Sequence, residues 1–120
     1  MRTLQINMNK INWSKSEKAA ARRAFDTAYK RECDAIIAKL KEMISKATEP
    51  EHIWQIHDYL DKQQKNINDK YDYRYSVLIL IFARLLSEDW LKKSDLEGLG
   101  EDKIKKIEKL AKRVSGAEGS

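Results

Sequence analysis

"WSKSEKAAARRAFDTAYKRECDAIIAKLKEMISKATEP", residues 13–50, runs from a helix-start signal to the only proline in the chain without a glycine between them. Ser14 with Glu17 three residues on is a capping box, in which each side chain satisfies a backbone N–H left free at a helix start. Beyond it Ala21, Phe25, Ala28, Tyr29, Ile36, Leu40, Met43 and Ala47 recur chiefly at steps of three, four and seven, which places them on one stripe of one helix. A helix of about 33 residues is roughly 50 Å long, whereas a compact domain of this size has a radius of gyration near 14 Å. The fold is therefore expected to be elongated. A helix that overhangs its own domain leaves part of its apolar stripe uncovered, and a homodimer of helical hairpins is the simplest way to cover it.

Downstream, "TEPEHIW" restarts a helix, with Pro50 suited to the first helical position and Thr48 or Glu49 as its cap. Ile53, Ile56, Leu60 and Ile67 mark its apolar seam, of which Ile53, Trp54, Ile56 and Leu60 are the expected dimer interface. The pattern loosens at "NINDKYDY", where Asn66, Asn68 and Asp69 offer a bend or break. The run from Val77 to Phe82 has the composition of a buried strand. Yet Val77, Leu78, Ile81, Phe82, Leu85 and Leu86 keep helical spacing and the chain offers no second strand to pair with, so a buried helix is expected. A short turn over 94–99 and a last helix over 102–113, with Ile104, Ile107 and Leu110 inward, complete the chain. The fold class is all-α: a stalk over about 13–70 and a small head over about 71–113, flanked by a flexible arm (1–12) and a disordered tail (114–120).

Composition agrees. The chain has 120 residues, a formal net charge of +5, and 36% charged residues with only four Gly and one Pro, which favours helix over loops. Its Lys are spread along the chain, so basicity alone identifies no nucleic-acid partner. The single Cys33 rules out an intrachain disulfide and a Cys-based zinc site, and at the edge of the apolar stripe it reads as a small buried hydrophobe. No apolar run approaches the ~20 residues that span a bilayer, and "MRTLQINMNK" lacks the apolar core of a signal peptide, so a cytoplasmic protein is expected.

On the second helix Trp54, His57, Asp58, Asp61 and Gln64 or Lys65 form a stripe beside the apolar seam. Trp54 among His and carboxylates fits a recognition surface, since Trp brings large area and a donor; it equally fits a Trp packed beneath the neighbouring helix. Catalysis has little support. Adjacent side chains on a helix point about 100° apart, so His57 and Asp58 are not expected to act as a base and its orienting carboxylate. There is no nucleophile elbow, phosphate loop or HExxH, and His52 and His57 lack further ligands for a metal. "LEGLGEDKIKKIEKL" is similar to a helix-hairpin-helix element, in which Gly98 and Gly100 would lend backbone N–H groups to a DNA phosphate. Two glycines between helices also simply cap one and start the next.

"WSKSE", "AFDTAYKRE", "IWQIHDYL", "DKYDYRYSVLILIFARLL" and "DKIKKIEKLAKR" together resemble the fluorescence recovery protein family of cyanobacterial photoprotection, in the same order, from about Trp13 to Arg113. The resemblance implies an all-helical homodimer with a long stalk and a small head. It implies a non-enzymatic regulator, needing no cofactor or metal, that binds the photoactivated orange carotenoid protein, detaches it from the phycobilisome and speeds its return to the resting form. Carried over by position, Trp54, His57 and Asp58 match the interaction and dimer region, and Leu80 and Lys106 match partner-facing positions of the head. This chain departs from the family pattern at Gln64, where an Arg is usual, and at Leu80, where a Phe is frequent. An Arg makes charge-assisted contacts that Gln replaces only in part, a difference of about 1.5 to 3 kcal/mol per hydrogen bond. The alternative is a family-like dimer that binds another protein in an organism without the carotenoid partner. No membrane insertion and no specific nucleic acid are expected.

Overall fold

The structure is a computed structural model that describes residues 11–119, with side chains to Val114. Among the described residues four α-helices follow in order, α1 (Lys15–Lys46), α2 (Pro50–Lys70), α3 (Leu78–Ser87) and α4 (Glu101–Gly119), joined by short segments, with a 3-10 turn (Lys93–Leu96) between α3 and α4. The molecule measures 54 × 32 × 21 Å with a radius of gyration of 17.2 Å, above the ~14 Å of a compact chain of this length. Elongation follows from α1, whose 32 residues extend about 48 Å.

The capping box starts α1: Glu17 N–H donates to Ser14 Oγ at 3.1 Å, and Ser14 N–H donates to Glu17 Oε1 at 2.8 Å. Helix α2 begins at Pro50, where the missing N–H costs nothing. Glu49 holds the cap position, yet the acceptor is the His52 imidazole, whose Nδ1 takes the N–H of Thr48 at 2.9 Å and of Glu49 at 3.0 Å. The loosening at Asn66, Asn68 and Asp69 does not break the helix, which runs on to Lys70. Strong helix formers around those residues let it continue, with Asn68 and Asp69 facing solvent and the Asn66 amide bonded to Glu32 and Arg84. The apolar run is helical as its spacing requires, with Leu78, Ile79, Phe82, Ala83 and Leu85 all buried. Helix α4 extends to Gly119 instead of ending at Arg113, so residues 114–119 are helical where a disordered tail was expected. Of the expected N-terminal arm, residues 1–10 lie outside the described residues, while Ile11 packs against the core.

Among the described residues sixteen apolar side chains are buried, and none of them falls between Ala28 and Leu78. That distribution divides the molecule. The head, made of α3, the 3-10 turn and α4, closes its core on the first half of α1, which meets it with Ala20, Ala21, Ala24, Phe25 and Ala28. Small side chains there let the head approach the helix backbone closely. The second half of α1 and nearly all of α2 form a bare two-helix hairpin, in which Lys70 is the one buried residue of α2. Among the described residues no helix is long and apolar enough to cross a membrane.

Candidate functional site

The bare hairpin carries a row of large apolar side chains. Ile37, Ile44, Ile53 and Trp54 are 48%, 56%, 58% and 64% exposed, and Leu60 is also exposed, while Ile56 is half-buried. Trp54 is thus not packed beneath α1. A helix pair that buries so little of its own apolar surface has only marginal stability in water, and the row makes this hairpin the candidate docking face. Beside it, His57, Asp58, Asp61, Gln64 and Lys65 are exposed on the same helix. Contrary to the expected divergence, His57 Nδ1 and Asp58 Oδ1 approach to 3.3 Å, because the two side chains fold towards each other over the helix surface. Both are fully solvated, so the contact is screened and weak. A hydrogen bond from Lys65 at 3.0 Å, with the field of His57 behind it, holds the Asp61 carboxyl below its usual range. Among the described residues no group of three His, Cys, Asp or Glu is placed to hold a metal ion.

In the head, Leu80 points out of the α3 core face and is 49% exposed, next to the fully buried Leu78 and Ile79. Lys106 is exposed on α4, two residues after the buried Ile104 and directly before the buried Ile107. Leu80 and Lys106 therefore lie on the surface of the unit formed by the packed α3 and α4, away from the stalk stripe of Trp54 and Asp58.

Four charged residues missed by periodicity link these two regions. Glu32, in mid-α1, is 4% exposed and Lys70, at the end of α2, is 3% exposed. Lys70 Nζ donates to Glu32 Oε2 at 2.8 Å and to Glu88 Oε1, just past α3, at 2.7 Å. Arg84 Nε donates to Glu88 Oε2 at 2.9 Å and its Nη2 to Asn66 Oδ1 at 3.3 Å, while Asn66 Nδ2 returns to Glu32 Oε2 at 3.3 Å. Tyr71 O–H fills the other carboxylate oxygen, Glu32 Oε1, at 2.8 Å. Burial would raise the Glu88 carboxyl, but the hydrogen bonds from Lys70 and Arg84 outweigh it and hold the group below its usual range. Burial first, then the bond to Glu32, pushes the Tyr71 phenol well above its ordinary value.

The head is further pinned to α1 at three points. Arg31 forks onto Asp95, at 2.7 and 3.2 Å, and reaches the Trp90 carbonyl at 3.0 Å. Lys103 Nζ lies 3.0 Å from Glu17 Oε1, and over the Trp13 ring. The glycine turn faces the same way: Gly98 and Gly100 have φ of +98° and +97°, and a Cβ on Gly98 would sit 2.9 Å from Ala20 Cβ. The two glycines thus serve a tight approach to α1, which is the structural use of such a turn rather than the phosphate-binding one. The tyrosines of the segment between α2 and α3 also pack inward, Tyr71 and Tyr73 edge-on to Phe25 at 5.3 and 4.8 Å, and burial lifts the Tyr73 phenol to about 12.

This architecture has known counterparts. The photoprotection regulator fluorescence recovery protein family matches the chain over residues 13–111. The fluorescence recovery protein of Synechocystis sp. PCC 6803 is 38% identical over 100 residues, which span 83% of this chain and 92% of that one. The solved structure of the Fremyella diplosiphon fluorescence recovery protein superposes with a TM-score of 0.80 at 40% identity, covering 84% of this chain and 99% of that one. The structure of the Synechocystis protein gives a TM-score of 0.79 at 38% identity, with the same coverage. Matched over its stalk, junction and head alike, this chain belongs to the fluorescence recovery protein family.

Proposed function

We propose that the chain acts as a homodimer that binds the photoactivated form of an orange carotenoid protein, detaches it from the phycobilisome and accelerates its return to the resting form, without covalent chemistry. Family membership supports the partner, and the exposed row of Ile37, Ile44, Ile53, Trp54 and Leu60 supports the dimer, because a second copy of the hairpin covers it. A binder can speed a conformational return only if it holds the transition between the two forms more tightly than the starting form. Contacts must therefore strengthen as the partner's two domains come together. Trp54, His57, Asp58 and Gln64 on the stalk and Leu80 and Lys106 on the head are the residues assigned to dimer and partner. The protein then works in the cytoplasm, at phycobilisomes through its partner.

Gln64 favours a second reading. It is exposed on the stripe of Trp54 and Asp58, where the family usually carries an Arg, so the same dimer with a different protein partner is the alternative. Co-sedimentation separates the two. Under illumination the chain is expected to co-migrate with an orange carotenoid protein, with the complex weakened by Asp58→Ala at unchanged dimer content. Equal failure to bind in light and dark, with Gln64→Arg also inert, would leave the alternative.

A further inference from the structure

The bonds around Lys70 close a ring. Glu32 accepts from Lys70, Lys70 reaches Glu88, Glu88 accepts from Arg84, Arg84 reaches Asn66, and Asn66 returns to Glu32, so that five residues join α1, α2 and α3 in one circuit. Two negative and two positive charges balance. Such a ring is a poor device for stability, since withdrawing charges from water costs as much as their attraction returns, and apolar side chains of similar volume are often equal or better. It is a good device for direction. Its members tolerate only one relative placement of the three helices, because any turn of the head strands a buried ammonium or carboxylate.

The packing beside it needs that direction. The head meets α1 through Ala20, Ala21, Ala24 and Ala28, a smooth face with few ridges to fix a crossing angle, on which Phe25 is the one large side chain and which the Arg31–Asp95 and Lys103–Glu17 pairs flank. The covalent link to the stalk is the non-helical stretch after Lys70, which is held against α1 by Tyr71 and Tyr73 on Phe25 but carries no helix from α2 into α3. We infer that the Glu32–Lys70–Glu88–Arg84–Asn66 ring is a positioning device, which sets the head at a single angle on the stalk and so fixes the spatial relation of the surfaces around Leu80 and Trp54. The inference does not depend on what the two surfaces bind.

The test replaces the buried members without stranding a charge. In Glu32→Leu/Lys70→Met/Tyr71→Phe, Glu88 keeps Arg84 as its partner and no buried hydroxyl is orphaned. Spin labels at the exposed Lys39 on the stalk and Lys109 on the head, in a Cys33→Ser background and diluted with unlabelled chain, report the head–stalk distance by pulsed electron resonance. The wild type is expected to give one narrow distance peak. The triple variant is expected to unfold at the same temperature or higher and to lose that single peak, with a broadened or split distribution in its place. A folded triple variant that keeps the narrow peak would overturn the inference. So would a triple variant that fails to fold, since the ring would then be a source of stability and not of direction.

Discussion

Gly98→Ala tests the docking of head on stalk at its tightest point. The new Cβ would lie 2.9 Å from Ala20 Cβ, a contact between a backbone-fixed atom and a methyl group with no rotamer to move aside. Two costs add. A non-glycine residue held at the left-handed φ of Gly98, +98°, costs about 1 to 2 kcal/mol, and overpacking a closed core costs about 1 to 3 kcal/mol more. The substitution is therefore expected to destabilise by about 2 to 5 kcal/mol, measured by urea unfolding followed by circular dichroism. A double-mutant cycle separates the two terms. Ala20→Gly alone removes a buried methyl from mid-helix and costs about 1 kcal/mol, but in the Gly98→Ala background it makes room for the new methyl. The double variant should then be more stable than the sum of the single changes by at least 1 kcal/mol. Additivity to within about 0.5 kcal/mol would refute the contact, and with it the structural role of the glycine turn.

Asp89 is the one described non-glycine residue at positive φ, 68°, directly after α3, and it is exposed, so Asp89→Gly should stabilise the protein by about 0.5 to 1 kcal/mol in the same unfolding assay. Acid should loosen the head. The Glu88 and Asp95 carboxyls are held below their ordinary values of 4.5 and 3.8, so the stability they contribute is fully present above those values and is lost as pH falls through the depressed ones. Thermal midpoints should accordingly be flat from neutral pH down to about 5 and drop below it, less steeply in Asp95→Asn. Ile53→Glu places a carboxylate on the 58% exposed centre of the stalk's apolar row. If a second copy covers that row, the change buries an unpaired charge at a cost of several kcal/mol and analytical ultracentrifugation at micromolar concentration should show monomers.

How much was legible in the sequence depended on whether local rules or tertiary contacts decided each element. Ser14 with Glu17 and Pro50 mark real helix starts because caps and proline act within one turn, and the spacing from Leu78 to Leu86 outweighs a strand-like composition for the same reason. The end of α4 was missed because Ser115, Gly116 and Gly119 read as a stop by propensity, a weak prior that the preceding turns override. Little in the local pattern marks Glu32 and Lys70 as buried. Their burial depends on pairing between residues 38 apart in sequence, which no periodicity encodes. One signal was available: Glu32 falls four residues after Ala28 on the buried stripe of α1. On the candidate surfaces, residue type leaves Trp54 either outward or beneath the neighbouring helix and its 64% exposure selects the first, while the glycine turn is ambiguous in sequence because Ala20, 78 residues away, decides its use.

The central claim is that this dimer returns a photoactivated carotenoid protein to rest by binding alone. The measurement closest to it is the red-to-orange absorbance decay of an orange carotenoid protein in the dark, with and without this chain. The account predicts a faster decay that saturates with added chain, is slowed by Asp58→Ala and is faster still with Gln64→Arg. A decay rate unchanged at saturating concentrations of both the wild type and Gln64→Arg would contradict it.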